Sequence, residues 1–206
     1  MKYLIGLLTI LLLDSISFSL DNILLSNVKA KYDKIKTIQG DFFQTLCSEN
    51  EGTCQLFEGK FSISRPYFSR LEVTKPEKQT IVTDSTNLYI YLVNKKKVYI
   101  QSANAGINFF KIFDMFLNNT VNYIVASQDS EYSVLEYKKD TLDQSNMFKD
   151  LKLRLNRETN LIEQFSFTDV NGAETRFELT NITINPKLSN KLFKLEIPKG
   201  TEIIKY

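Results

Sequence analysis

The sequence predicts a single mainly β domain, an antiparallel meander of about 11 strands with an α-helical lid, and three observations carry that prediction. After Gly40, short runs rich in Phe, Tyr, Ile and Val recur between turn residues, at the roughly 8–12-residue spacing of an antiparallel all-β fold. In one such run Phe57, Gly59, Phe61 and Ile63 alternate with Glu58, Lys60, Ser62 and Ser64, the pattern of a strand with one dry face and one wet face. No stretch alternates strand and helix in the manner of a βαβ unit, so a parallel nucleotide-binding sheet is disfavoured.

Taken in order, the chain opens with an export signal. Lys2 precedes an apolar run from Tyr3 to Leu13, and Ser17-Phe18-Ser19 supplies a small-x-small cleavage site, so residues 1–19 read as a secretory signal peptide and 20–206 as the mature domain. The run is too short to span a bilayer. Cleavage leaves Leu20 first rather than a cysteine that could be lipidated. Behind a possible N-cap at Asp21, the residues Leu24, Val28, Tyr32 and Ile35 recur at steps of four, four and three, which predicts an amphipathic helix to Lys36. Strands are expected near 38–46, 55–64, 67–74, 79–84, 87–93 and 98–101, then near 121–127, 131–137, 149–156, 161–168 and 173–183. Asn94-Lys95-Lys96-Lys97 and Val170-Asn171-Gly172 read as hairpin turns. The strand after Asn87 is apolar on both faces, with Leu88, Ile90 and Leu92 against Tyr89, Tyr91 and Val93. Residues 105–118 interrupt the meander with Phe109, Phe110, Phe113, Phe116 and only Lys111 and Asp114 as charges; a helix so apolar must be covered on more than one face.

Composition removes whole classes of chemistry. The 206 residues contain no histidine, which excludes Ser-His-Asp and Cys-His catalysis and histidine-ligated metals. A four-thiolate site is excluded by the presence of only two cysteines. The net charge of +2 gives no footprint for nucleic acid. Ser26-Asn27-Val28-Lys29 matches the S-x-x-K pattern of serine acyltransferases but lacks its companion elements. The pairs Glu49/Glu51, Asp129/Glu131 and Asp140/Asp143 fall in turn-like sequence and read as solvated charge, and no Gly-rich phosphate loop is present. Neither an enzyme nor a cofactor is expected. In an exported chain, Cys47 and Cys54 flank a turn-like hexapeptide and are expected to form a structural disulfide. A redox-active pair is the alternative, without the C-x-x-C spacing.

Continuing the phase of the second strand places Arg65 on the dry side, at the rim against Pro66, where a guanidinium needs acceptors. A curved sheet with an apolar concave face, and two helices able to cover its mouth, is a container for hydrophobic ligands.

The chain resembles the periplasmic outer-membrane lipoprotein carriers of the LolA type. The resemblance runs through Ile38-Gln39-Gly40-Asp41-Phe42-Phe43-Gln44, Glu58-Gly59-Lys60-Phe61-Ser62-Ile63-Ser64-Arg65-Pro66, Phe68-Ser69-Arg70-Leu71-Glu72 and Pro76. It continues with Ile81-Val82-Thr83-Asp84, Leu88-Tyr89-Ile90-Tyr91, Phe167-Thr168-Asp169-Val170-Asn171-Gly172 and Phe193 leading to Pro198-Lys199-Gly200. It implies an incomplete antiparallel β-barrel covered by the N-terminal helix and the insert near 105–118. It also implies cargo of acylated lipoproteins, an inner-membrane lipoprotein-releasing ABC transporter as donor, and delivery to the outer membrane with or without an acceptor lipoprotein there. A monomer without catalytic activity, and without nucleic-acid partners, is expected. Arg65 matches the family arginine that bonds lid carbonyls and holds the empty barrel closed. The expected cavity and lid lining is Phe42, Phe57, Phe61, Ile63, Tyr89, Tyr91, Phe109, Phe110, Phe113 and Phe116. The chain departs from the family at Leu71, where a Trp is usual, and in its two cysteines. The 105–118 and N-terminal helices are expected to swing away as acyl chains enter. Two rival readings share the sequence: a periplasmic lipid- or glycolipid-binding sensor built on the same container, and an exported hydrolase with a Lys or carboxylate base.

Overall fold

The structure, a computed structural model, describes residues 23–48, 52–103, 123–137 and 148–206. The expected signal peptide, the Phe-rich insert with Phe109, Phe110, Phe113 and Phe116, and the Glu49/Glu51 and Asp140/Asp143 pairs lie outside these residues. A helix, α1, covers residues 23–33. A first meander follows: β1 (Thr37–Ser48), β2 (Thr53–Ser64), β3 (Phe68–Lys75), β4 (Gln79–Thr83), β5 (Asn87–Leu92) and β6 (Lys97–Ser102). A second comprises β7 (Tyr123–Gln128), β8 (Tyr132–Tyr137), β9 (Phe148–Asn156), β10 (Ile162–Asp169) and β11 (Glu174–Ile184). A 3-10 turn at Asn190–Phe193 and a last strand, β12 (Glu202–Lys205), complete the described chain.

All the described strands form one 12-stranded sheet in the order β12-β6-β5-β4-β3-β2-β1-β11-β10-β9-β8-β7. The two meanders join where β1 pairs with β11, Phe42 opposite Leu179 and Gln44 opposite Phe177. β12 and β7 end the order unpaired with each other, so the sheet does not close. One apolar cluster nevertheless unites Leu25, Val28 and Tyr32 of α1 with residues from β3 at one side to β7 at the other. Those strands are seven spacings apart in the sheet order, about 34 Å if flat, whereas a helix with its side chains is only about 10–12 Å across. The sheet must curl around α1 to build one core.

Close approach of strands helps the curl. Phe61 stands opposite Gly40 and Phe42 opposite Gly59 in the β1–β2 ladder, so each ring occupies the space a neighbouring side chain would take. A Cβ on Gly40 would sit 2.8 Å from the Phe61 ring, and one on Gly59 would sit 2.1 Å from the Glu72 carbonyl oxygen.

Two elements differ from expectation. The helix ends at Asp33 rather than running to Lys36, and its stripe buries Leu25, Val28 and Tyr32, with Ile35 buried just beyond its end, while Leu24 only packs against the cluster. β12 was not expected, and it pairs parallel to β6, the one parallel neighbour among the described strands, with Ile203 opposite Val98. Four residues with charges at both ends carry no strand period, and the long return from β11 that delivers them has no local signature.

Candidate functional site

The face wrapped around α1 is apolar. Across the first meander, register aligns Phe61, Leu71, Ile81 and Ile90 on it. Across the second, Phe177, Phe165, Leu153 and Leu135 continue it. Phe165 stacks on Phe177 with ring centroids 4.7 Å apart. Among the described residues, the buried polar side chains on this face are Ser69, Thr83, Ser133 and Thr175, all hydroxyls, and no buried residue is charged. Such a face offers dispersion contact and no fixed charge, which suits hydrocarbon.

Of the expected lining residues, Phe42, Phe61 and Ile63 are buried on this concave face, and Phe57 packs partly buried against the same cluster. Tyr89 and Tyr91 are not on it. Ile90 is in phase with Phe61, so register turns both tyrosines to the convex side, Tyr89 opposite Val82 and Tyr91 opposite Thr80. Because β5 is apolar in both phases, period-two reading alone had no basis for choosing between them. The convex side of β3–β6 is itself covered. Val82 and Val98 are fully buried there, and the 3-10 turn docks Phe193 on Phe68 at 5.8 Å. Arg70 holds that turn by donating from Nη1 to the Leu192 carbonyl at 3.1 Å. Arg70 also pairs with Glu72, whose other oxygen accepts from Thr80 Oγ1 at 2.9 Å.

Arg65 follows β2 at the rim, half-buried, beside a cis bond to Pro66. Its Nη1 donates to the main-chain carbonyl of Tyr32, 3.0 Å away, in the last turn of α1. Its own amide donates to the Lys36 carbonyl at 2.9 Å. Strand phase therefore delivers a guanidinium to the carbonyl end of the covering helix, where unpaired carbonyls and the negative end of the helix dipole lie.

Sequence reading missed the other half of this attachment. Tyr32 is buried, and its hydroxyl accepts from the Ile162 amide at 2.8 Å, across to β10. Burial and, to a smaller degree, the nearby Glu163 carboxylate push the Tyr32 phenol well above its ordinary range, against the lowering effect of the Ile162 amide bond. The hydroxyl therefore stays neutral. Lys31 adds a bond to the Thr159 carbonyl in the β9–β10 turn. The signal was a tyrosine in an apolar helix stripe, since a buried Tyr hydroxyl usually finds a partner. Also missed were Leu151, Leu153 and Leu155, whose strict alternation in Leu-Lys-Leu-Arg-Leu marks them as facing inward.

Cys47 and Cys54 are disulfide-bonded, and they sit at the end of the β1–β2 hairpin farthest from Arg65. In the Asp129/Glu131 pair, the Asp129 carboxylate is engaged in its own turn: it accepts from the Glu131 and Tyr132 amides, both at 2.7 Å.

Three comparisons place the chain among known proteins. A family model described as outer membrane lipoprotein carrier protein LolA matches residues 33–196, which include Arg65 and both meanders. An outer-membrane lipoprotein carrier protein of Haemophilus influenzae (strain PittEE) is 28% identical over 180 residues, covering 86% of this chain and 85% of that one. One from Pasteurella multocida (strain Pm70) is 28% identical over 188 residues, with the same coverages of 86% and 85%. An uncharacterized conserved protein from Thermus thermophilus, of solved structure, shares the fold with a TM-score of 0.55 at 10% identity, covering 86% of this chain and 95% of that one.

Proposed function

The chain belongs to the LolA family of outer-membrane lipoprotein carriers, and from this premise we propose that it takes the acyl chains of lipoproteins against its concave face and carries them across the periplasm. The family supports a periplasmic, lipoprotein-binding carrier without enzymatic activity. The observation that carries the finer reading is an apolar face with no buried charge among the described residues, covered by α1, whose last turn is held at the rim by Arg65.

Acyl chains in water cost about 0.8 kcal/mol per methylene, so a carrier must cover them throughout transit. On this chain the surface that could do so is already occupied by α1. Entry of cargo therefore displaces α1, and the Arg65 to Tyr32 bond is the latch that must break. A hydrogen bond from a charged donor is worth about 1.5–3 kcal/mol. That is enough to favour the closed, empty state without making the open state unreachable. Residues 1–19 act as the export signal in this reading, so the exported chain begins at Leu20.

The donor is an inner-membrane lipoprotein-releasing ABC transporter. Mature protein mixed with membranes containing that transporter and ATP is expected to yield soluble acylated lipoprotein in a one-to-one complex. Arg65→Leu removes the latch, so cargo should leave about 10- to 100-fold more slowly for outer-membrane acceptor vesicles. Unchanged transfer by Arg65→Leu would remove Arg65 from the mechanism. Release of free lipids alone would replace the carrier with a lipid-binding sensor on the same fold.

A further inference from the structure

β2 is longer than β3 at the end far from Arg65. β3 reaches only Lys75, opposite Glu58, whereas β2 begins at Thr53. Thr53–Phe57 therefore pair with β1 on one side and, among the described residues, with no strand on the other. The direction of their main-chain groups follows from the register. Cys47 and Cys54 are opposite each other with Cα atoms 4.1 Å apart, the close spacing of a non-hydrogen-bonded antiparallel pair. The N–H and C=O of Cys54 therefore point away from β1, and alternation gives Leu56 and Glu58 the same direction. The Glu58 carbonyl accepts from Thr74 Oγ1, on the β3 side, at 3.1 Å, which fixes the phase independently.

The open edge thus presents one donor and one acceptor from Cys54 and another of each from Leu56. Thr53-Cys54-Gln55-Leu56-Phe57 contains neither a charge nor a proline, the residues with which natural proteins block exposed edges. Leu56 is 68% exposed. Its convex face continues across β1 to Phe43, 49% exposed and in phase with Thr45, the partner of Leu56. The disulfide at Cys54 holds this edge extended, which lowers the ordering cost of binding to it.

We propose that the Thr53–Phe57 edge is a docking site for an extended, uncharged segment of a partner protein, added as a strand beside β2 with an apolar side chain against Leu56. Two copies of the folded chain meeting along a five-residue edge would fall well short of the about 1,000 Å² that a specific interface between folded proteins buries. A flexible segment meets the same donors and acceptors without that requirement. The site lies at the opposite end of β2 from the latch, so it stands or falls separately from the carrier reading.

The test is NMR titration of the mature protein with a capped octapeptide of alternating Thr and Val. The Cys54 and Leu56 amides are expected to shift and to exchange with solvent at least about tenfold more slowly when peptide is bound. Leu56→Pro removes an N–H that faces the edge rather than β1, and should abolish binding. Leu56→Lys keeps every main-chain group and puts a charge beside the edge; it should weaken binding at least about tenfold, and it decides the matter should the proline variant lose its hairpin. Cys54 and Leu56 amides unmoved at millimolar peptide, or binding undiminished in both variants, would overturn the proposal. Protection of the same amides that grows with protein concentration alone would give the edge to a second copy and overturn it too.

Discussion

Tyr32→Phe tests the attachment of α1 from its buried side. The substitution keeps the ring, which belongs to the core cluster, and deletes only the hydroxyl that accepts from Ile162 N–H at 2.8 Å. Ile162 is 2% exposed, so no water replaces the lost acceptor. An orphaned buried donor costs about 1–3 kcal/mol. At about 2 kcal/mol the unfolding midpoint of a chain of this size should fall by about 4–8 °C. The same 2 kcal/mol shifts the balance between docked and lifted α1 by about 30-fold. The assay is amide exchange at Ile162 compared with Phe165, whose amide reports opening of the whole sheet: Ile162 should accelerate more than Phe165. The pH dependence has a definite sign. The Tyr32 pKa is raised on folding, so its contribution is intact below the unfolded tyrosine pKa of about 10 and is lost as pH rises above it. Wild-type stability should therefore fall more steeply than that of Tyr32→Phe above about pH 10. An unchanged midpoint together with equal acceleration at Ile162 and Phe165 would refute the anchoring role.

The remaining predictions concern the shell around the concave face. Cys47→Ser with Cys54→Ser opens a loop of sequence separation 7, which in the chain-entropy account costs about 2.5 kcal/mol; calorimetry should show a midpoint about 5–10 °C lower with cargo binding unchanged, because the hairpin end is remote from Arg65. Gly59→Ala drives a Cβ to 2.1 Å from the Glu72 carbonyl and 3.0 Å from the Phe42 ring, so chemical denaturation should show a loss of about 3 kcal/mol or more, above that of Gly52→Ala, whose added Cβ meets nothing within 4 Å and which loses only the about 1–2 kcal/mol of a left-handed backbone at φ +60°. Arg70→Met removes the donor to Leu192 and leaves Glu72 without its ion-pair partner; limited proteolysis between residues 186 and 201 should become faster while α1 stays protected.

What the sequence made legible was local and periodic. Eleven strands are legible within a few residues of their ends because they carry alternation, as in Phe57 to Ile63, or in β5 a continuous apolar run, bounded by turn residues. Arg65 was placed at the rim by the same period carried two residues further, and the disulfide by two cysteines around a turn. Phase failed where both phases are apolar: Tyr89 and Tyr91 look as fit for the core as Leu88 and Ile90 until β4 fixes the register. What is long-range was not legible. The pairing of β1 with β11 spans most of the chain, β12 reaches β6 only by a crossover, and the hydroxyl of Tyr32 finds its partner 130 residues away. No window of neighbouring residues contains those distances.

The energetic scale of the covering helix bears on how such a carrier could both hold and release. Leu25, Val28, Tyr32 and Ile35 of the α1 region are buried against the sheet, and each is worth about 1.5–3 kcal/mol, an upper figure because the unfolded reference already hides part of that area. A hydrocarbon chain of about 16 carbons gains about 12 kcal/mol on leaving water. In the proposed mechanism, displacing α1 for one such chain is therefore close to an even exchange, and a second chain tips it toward cargo. Under that balance the polar attachments decide the direction. The Arg65 bond to the Tyr32 carbonyl and the Tyr32 bond to Ile162 are each small against either apolar term, yet comparable to their difference. A rim contact of that size can be broken or remade by a partner touching the mouth, whereas no such contact could reverse an exchange that was lopsided by about ten kcal/mol or more.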